Sequence, residues 1–410
     1  MRSLARWLAT LLLASAPWVA GAQDATAEPP APRISLLTFA PGEVYWQRFG
    51  HNALMVEPND GSPTAVYNYG IFDFFQKNFF LNFARGQMQY RLAAIPVPNT
   101  LAEYAAEGRW VYQQQLALKP AQARALANFL ADNARPENAE YRYDYFRSNC
   151  STKVRDALDQ ALGGALKSQW QTRFTPHSFR SEATRLMSPV GPLMLGMDYI
   201  LGPAADEPIS LWEQAYVPEV LMQAVRDLRI QGQPLVAREG YWLPPGAGPK
   251  TPSEAFEFTW QALALGLELA LALVLLTRWR AADIARGAYL MLSLLPALVS
   301  GLGGLVLLAA WALTDHWAMW GNHNLLLFNP LSLLLLPTLA LSFRSRWRPA
   351  RWTRMLSMLI ALLALIALAM QVLPDAQQQL PWIVFWLPAH LALAWSMRKI
   401  GRRPPLDVPL

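Results

Sequence analysis

The pattern of apolar and polar residues changes near residue 256. Before this point, short apolar runs are separated by polar and turn-forming residues, whereas residues 256–397 consist mostly of Leu, Ala and Trp. A helix that crosses a bilayer needs about 20 apolar residues, and five runs come near that length: 259–277, 287–312, 325–343, 355–373 and 381–397. The pattern predicts a soluble domain at 23–255 and a five-span helical membrane domain at 256–410.

Within the soluble domain, the pattern predicts an α+β fold. Alternating apolar residues and turn signals predict strands at 34–39, 51–56, 65–69 and 109–118. Apolar residues at helical spacing predict two helices, one at 120–133 and one from 151 to about 162. The proline-rich stretch 166–250 is interpreted as helices and loops that pack on the core and lead to the membrane.

Residues 1–22 have the three parts of a secretory signal peptide. A basic start precedes an apolar run at 7–20, and the small residues AGA at 20–22 form a cleavage pattern. An uncleaved anchor is the alternative, but the apolar run is short and is interrupted by Pro17. We therefore predict cleavage before Gln23 and export of the domain that follows.

Basic residues predict the orientation of the spans. The loops after the first and third spans and the C-terminal tail contain clusters of Arg and Lys, whereas the loops 314–324 and 374–380 contain none. Basic loops stay in the cytoplasm. We therefore predict a multi-pass protein of the bacterial inner membrane, with the soluble domain in the periplasm and the C-terminus in the cytoplasm.

The net charge of +6 also bears on possible partners. Such an excess is compatible with nucleic-acid binding. Here, however, the excess Arg lies in short clusters between the apolar runs, where it acts as a topology signal. We expect the membrane as a partner and no nucleic acid.

Cys150 is the only cysteine of the chain and lies at the start of the second predicted helix. In an exported protein a lone thiol indicates intermolecular pairing or reactivity. Asn149 is a suitable N-cap, and the free amides of the first turn favour a thiolate and can hold the oxyanion of a tetrahedral intermediate. The alternative is a cysteine that only fills the core.

A cysteine nucleophile needs a base, and the soluble domain contains two histidines, His51 and His177. His51 begins the predicted strand 51–56, which can hold the ring rigidly beside a helix, whereas His177 is interpreted as structural. A third polar group usually orients the ring. The returning strand of the hairpin offers Tyr67, Asn68 and Tyr69. We choose Asn68 as the orienting residue.

Three segments carry a resemblance to a known family: FGHNALMVE, VYNYGIFDF and YDYFRSNCSTKVRDAL. They resemble the Lnb family of bacterial lipoprotein N-acyltransferases, whose layout is a periplasmic domain followed by five spans. The soluble domain also resembles circularly permuted papain-like folds, such as NlpC-type hydrolases and lecithin–retinol acyltransferase. In these folds a histidine precedes a cysteine that opens a helix, as His51 precedes Cys150 here.

The resemblance implies an activity and residue roles. Cys150 would be the nucleophile and His51 the general base of a ping-pong acyl transfer. A phospholipid would donate its acyl chain to the sulfur, and the α-amine of a lipoprotein N-terminal cysteine would accept it. No metal or cofactor is expected. The alternatives are a periplasmic, membrane-anchored cysteine peptidase or amidase acting on the cell wall, and a non-enzymatic envelope protein.

Two further groups of residues are candidates for substrate contacts. Polar residues in the outer loop between the second and third spans lie close to the bilayer, where they are functional candidates or form an ordinary hydrated loop. The candidates for substrate binding are Tyr45, Tyr67, Asp315, His316, Asn322, His323 and Asn324. Six phenylalanines at 72–83 predict a buried aromatic cluster; an acyl-chain tunnel and insertion into the membrane are the alternatives.

Overall fold

The computed structural model describes residues 31–246 and 250–402. The predicted signal peptide at 1–22 lies outside these ranges. The strands are β1 (Arg33–Phe39), β2 (His51–Glu57), β3 (Ala65–Ile71), β4 (Gln89–Pro96), β5 (Val111–Leu116), β6 (Glu140–Arg142), β7 (Phe174–Ser178), β8 (Pro208–Ser210), β9 (Arg229–Ile230), β10 (Gln233–Pro234) and β11 (Val236–Leu243). The helices of the soluble domain are α1 (Phe79–Arg85), α2 (Val97–Ala106), α3 (Pro120–Asn133), α4 (Cys150–Ala161), α5 (Ala165–Trp170), α6 (Phe179–Met187), α7 (Gly191–Ile200), α8 (Leu211–Gln214) and α9 (Pro218–Asp227).

Seven strands form one antiparallel sheet in the order β11-β5-β1-β2-β3-β4-β6. The four predicted strands are confirmed as β1, β2, β3 and β5, and the two predicted helices as α3 and α4. The hairpin of β2 and β3, on which His51 and Asn68 were expected, lies near the centre of this sheet. The mixed α and β character of the soluble domain is therefore confirmed.

Strand β11 corrects the interpretation of residues 166–250 as helices and loops. It pairs with β5 at the edge of the sheet, with Val236 opposite Leu116 and Leu243 opposite Val111. Most of its side chains are exposed or half-buried, so the run lacks the alternation of buried and exposed positions that predicts a strand. Pairing with β5, and not the local pattern, sets its conformation.

The two faces of the sheet are covered by different helices. On one face, Leu54 of β2 packs in a cluster with Leu158 of α4. On the other face, Ala53 of the same strand packs in a cluster with Tyr104 of α2. Because side chains alternate along a strand, even-numbered residues of β2 face α4 and odd-numbered residues face α2. This alternation decides where His51 and Asn52 point.

The membrane domain contains α10 (Thr259–Arg278), α11 (Asp283–Leu313), α12 (Leu336–Ala340), α13 (Arg351–Met370) and α14 (Leu380–Arg402). All of them except α12 are long and apolar enough to cross a bilayer. These four helices coincide with the first, second, fourth and fifth predicted spans. The multi-pass character expected from the sequence is confirmed.

The third predicted span, 325–343, is not a continuous helix. Short 3-10 segments flank α12, and the halves Trp317–Leu326 and Pro330–Phe343 meet at an angle of 43°. The break lies at Asn329-Pro330, where proline has no backbone N–H to donate and the Asn329 side chain accepts the N–H of Leu331. The described residues therefore contain four unbroken helices able to span, or five spans if this bent pair is one.

The outer loop that follows α11 joins the two domains. The Asp315 carboxylate accepts hydrogen bonds from Arg142 at 2.8 Å and from Gln87 at 3.1 Å. The ring of His316 donates from Nε2 to the carbonyl of Phe83 at 2.9 Å. The soluble domain therefore rests directly on the outer ends of the membrane helices.

Candidate active site at the start of helix α4

Helix α4 begins at Cys150, with Asn149 as its N-cap. The Asn149 Oδ1 accepts the N–H of Thr152 at 2.9 Å, and the Thr152 hydroxyl accepts the N–H of Asn149 at 2.8 Å. The Asn149 amide also donates to the carbonyls of Tyr145 and Tyr216. These contacts fix the first turn and leave the N–H groups of Cys150 and Ser151 outside the helical hydrogen-bond pattern.

The Cys150 thiol is half-buried and unpaired. Burial raises the pKa of Cys150 to about 11, although the neighbouring backbone N–H groups of Asn52, Ser151 and Cys150 itself act in the opposite direction and favour the thiolate. The amide contacts were expected at a helix start. Burial outweighs those contacts, so the thiol is protonated at neutral pH.

His51 and Asn68 face each other across the β2–β3 hairpin. The His51 Nε2 and Asn68 Oδ1 atoms lie 3.2 Å apart. This contact favours Asn68 over Tyr67 and Tyr69, which pack with the core on the α4 face. Because the Asn68 oxygen accepts a proton from Nε2, the basic nitrogen of the neutral ring is Nδ1.

The imidazole of His51 is neutral at neutral pH. Burial lowers the pKa of His51 to about 4, and the positive charge of Arg109 lowers it further, while the contact with Asn68 raises it. The ring lies against Phe39, with the centroids 5.5 Å apart. Cys150 and His51 are therefore a neutral thiol and a neutral imidazole, not a preformed ion pair.

Cys150 and His51 both lie next to the peptide group that joins His51 to Asn52. The Asn52 side chain points towards α4, where its Oδ1 accepts the Ser151 hydroxyl proton at 2.8 Å, so the His51 side chain leaves the strand on the other face. The peptide N–H between His51 and Asn52 lies near the sulfur of Cys150 and favours its thiolate. Among the hydrogen bonds of the described residues none joins the His51 ring to the sulfur, so proton transfer requires a closer approach.

Gly70 keeps space open beside the sulfur. Its φ is 91°, and a Cβ added to it would lie 3.6 Å from the Cβ of Cys150. The missing side chain therefore leaves space beside the Cβ of Cys150.

A row of tyrosines leads from the sulfur towards the membrane. The Tyr143 ring stacks on Tyr90 with centroids 4.2 Å apart and meets the Tyr145 ring at 5.8 Å. Tyr145 in turn stacks on His316 of the outer loop at 5.8 Å. The signal that identifies this row is the spacing of Tyr141, Tyr143 and Tyr145, which places them on one face of an extended segment just before Cys150.

A cavity of about 1050 Å³ lies between the soluble domain and the outer end of α11. Its walls are mostly apolar and come from α1, α7, α11 and the segment before α4. Of the candidates for substrate contacts, Tyr45 and His316 line this cavity. Cys150 is not part of its wall, but Tyr145 is, and the carbonyl of Tyr145 accepts a hydrogen bond from Asn149.

The other candidates for substrate contacts are occupied by the protein itself. Asp315 is ion-paired with the soluble domain, and Tyr67 packs against the core. The side-chain amides of Asn322 and Asn324, both buried, donate to carbonyls at the end of α7. The backbone N–H of His323 donates to a glutamine of the loop before α14. These contacts favour a structural role for this part of the loop.

The phenylalanine cluster at 72–83 is only partly buried. Phe79 is 7% exposed, but Phe75 and Phe80 are 96% and 73% exposed. Phe74 is also exposed, at 45%, so the prediction of a buried cluster is wrong for these three side chains. Phe83 lines the cavity, which agrees with the alternative of an apolar tunnel.

The remaining histidines have partners within the fold. His177 lies 3.4 Å from the buried Glu182 carboxylate, which agrees with its structural interpretation. His390 of α14 is buried and donates from Nε2 to the carbonyl of Leu327. Within residues 31–246 and 250–402, no three His, Cys, Asp or Glu side chains are grouped so as to hold a metal ion.

Comparison with known proteins gives two matches to family models. Residues 21–183 match the Lnb N-terminal periplasmic domain, and residues 253–399 match the Lnb transmembrane domain. No curated protein and no solved structure matches the chain. The two matches together cover more than half of the sequence. The chain therefore belongs to the Lnb family, as a multi-pass membrane protein with a periplasmic N-terminal domain.

Proposed function

We propose that this protein is a lipoprotein N-acyltransferase that carries the acyl chain as a thioester on Cys150. The observation that carries the proposal is the position of Cys150 at the capped start of α4, beside the strand that carries the His51–Asn68 pair. The neighbouring backbone N–H groups of Asn52, Ser151 and Cys150 favour the thiolate there. Membership of the Lnb family supports a role in lipoprotein maturation. The proposal includes a relation to permuted papain-like enzymes, in which histidine precedes a cysteine that opens a helix.

The first half-reaction moves an acyl chain from a phospholipid to the sulfur. The Nδ1 atom of His51 takes the thiol proton while the sulfur attacks the ester carbonyl and a C–S bond forms. The carbonyl oxygen becomes an oxyanion, which the N–H groups at the start of α4 stabilise. The C–O bond then breaks, and His51 gives its proton to the oxygen of the leaving lysophospholipid.

The second half-reaction moves the acyl chain to the lipoprotein. The neutral α-amine of the N-terminal cysteine attacks the thioester carbonyl, and His51 takes a proton from the attacking nitrogen. The C–S bond breaks as the amide forms, and the proton returns to the sulfur of Cys150. Asn68 holds Nε2 of the ring throughout, so that Nδ1 remains the atom that accepts and donates the proton.

The neutral states of Cys150 and His51 support a mechanism in which His51 acts as a general base over one that starts from a permanent thiolate. A buried thiol with a pKa of about 11 is protonated at neutral pH and so resists oxidation and alkylation between turnovers. The imidazole, with a pKa of about 4, is unprotonated and ready to accept the proton. The thiolate then forms only when a carbonyl is in position to react with it.

The decisive experiment is the intact mass of the full-length protein after incubation with phospholipid. We expect an added mass of one acyl chain that hydroxylamine removes, and no such adduct on Cys150→Ala. Addition of a peptide with a free N-terminal cysteine carrying a diacylglyceryl group should discharge the adduct and yield a hydroxylamine-resistant amide. Release of cell-wall fragments without any adduct would identify a cysteine peptidase or amidase instead. Absence of both activities would contradict an enzymatic role.

A further inference from the structure

The cavity between the two domains has the position of a lipid site. It is bounded by the outer end of α11, where Val306 and Leu313 are 54% and 72% exposed. Its volume of about 1050 Å³ lies at the upper end of the range of roughly 300–1,000 Å³ found for small-molecule sites. An apolar space of this size beside a lipid-facing surface fits an acyl chain.

One unpaired cation lies on the wall of this cavity. Arg85, the last residue of α1, lines the cavity and is exposed. Within the described ranges its guanidinium takes part in no ion pair or side-chain hydrogen bond, whereas Arg142 nearby is neutralised by Asp315 at 2.8 Å. A free guanidinium beside an apolar space fits a phosphate attached to an apolar chain.

We infer that this cavity binds one phospholipid of the outer leaflet, with an acyl chain between α7 and α11 and the phosphate on Arg85. Tyr145 connects the cavity to the candidate active site, because its ring lies on the wall and its carbonyl accepts a hydrogen bond from the N-cap of α4. The role of the bound lipid as the acyl donor rests on the proposed function. The binding of the lipid to this cavity is independent of that function.

Two glycines of α7 provide a test of the site and its matched control. A Cβ added to Gly196 meets no heavy atom within 4 Å, and Gly196 lines the cavity. A Cβ added to Gly191 likewise meets nothing within 4 Å, but Gly191 is not part of the cavity wall. Gly196→Trp therefore fills the cavity, whereas Gly191→Trp adds the same side chain to the same helix outside it.

The experiment uses full-length protein with the Cys150→Ala change, so that no acyl transfer takes place. The protein is reconstituted with a phosphatidylglycerol that carries a photoreactive diazirine in one acyl chain, and cross-linked residues are mapped after illumination. We expect cross-links in α7 and in the last turns of α11, reduced at least about tenfold by Gly196→Trp and unchanged by Gly191→Trp. Ala309→Trp, on the exposed wall of α11, serves as a second variant should Gly196→Trp fail to fold.

The role of Arg85 is tested with a second probe that lacks the phosphate. Arg85→Ala should weaken cross-linking by the phosphatidylglycerol probe by up to about fivefold, as for loss of one exposed ion pair. It should not affect a diacylglycerol with the same diazirine chain. Equal labelling in the two tryptophan variants, or equal effects of Arg85→Ala on both probes, would overturn the inference. Normal labelling without any Cys150 adduct in the unmodified protein would overturn only the proposed function.

Discussion

The backbone N–H of Asn52 lies beside the sulfur of Cys150 and favours its thiolate. This contact joins the first peptide group of β2 to the first turn of α4, two segments far apart in the chain. His51 belongs to the same peptide group, and the Nε2 atom of its ring contacts Asn68. The reactivity of the thiol therefore depends on how the β2–β3 hairpin packs against the start of α4.

The protonated thiol of Cys150 and the neutral ring of His51 predict how the rate of alkylation of Cys150 by iodoacetamide depends on pH. Because the pKa of the thiol is about 11, the thiolate fraction rises about tenfold with each pH unit below that value. The alkylation rate should therefore climb steadily from about pH 6 to about pH 10. Intact mass measures it without ambiguity, since the chain has one cysteine. A rate that is constant across neutral pH would reveal a preformed ion pair.

Removal of the base should slow acyl-adduct formation. General-base catalysis contributes about 10²–10⁴-fold, so His51→Ala should reduce the single-turnover rate by that factor while the protein stays folded. Asn68→Ala should cause a smaller loss, because the neutral ring remains as a base but loses the contact that orients it. His177→Ala is the matched control and should leave the rate unchanged. An unaltered rate in His51→Ala would exclude this histidine as the base.

The gap beside the sulfur predicts a difference between two glycine variants. Gly70 and Gly61 have φ values of 91° and 84°, but only at Gly70 would a Cβ contact Cys150. Each alanine variant should lower the free energy of unfolding by about 1–3 kcal/mol through backbone strain. Only Gly70→Ala should also slow adduct formation, measured by intact mass. Equal rates in the two variants would show that the gap has no part in the reaction.

The buried amide of Asn322 predicts a loss of stability rather than a loss of lipid binding. Asn322→Ala removes the side-chain donor of the Ile200 carbonyl, whereas the carbonyls of Tyr199 and Leu201 keep other donors. The cost is about 1–3 kcal/mol for a buried unsatisfied group. We expect a lower thermal unfolding temperature and faster proteolysis between the domains. His323→Ala, at a half-buried neighbour, should have a smaller effect. Normal stability with weaker binding of phosphatidylglycerol would instead favour a head-group contact at Asn322.

Most of the local structure and the residues of the candidate site could be predicted from the sequence. The start of α4 is encoded by Asn149 and Thr152, whose side chains and backbone amides cap each other. The choice of Asn68 beside His51 follows from the position of both residues in one hairpin. The bend at Asn329-Pro330 also has a local cause, because proline interrupts a helix whatever its hydrophobicity.

The sequence by itself determined the two domains, the apolar spans, the central strands and the cysteine at the start of a helix. These features depend on periodicity, length and capping, which involve residues close together in the chain. Only the tertiary structure decided the strand β11, the protonation of Cys150 and the cavity lined by Arg85. Each of these depends on what packs against a residue from distant segments: a free strand edge, the burial of a thiol, and the space left where two domains meet.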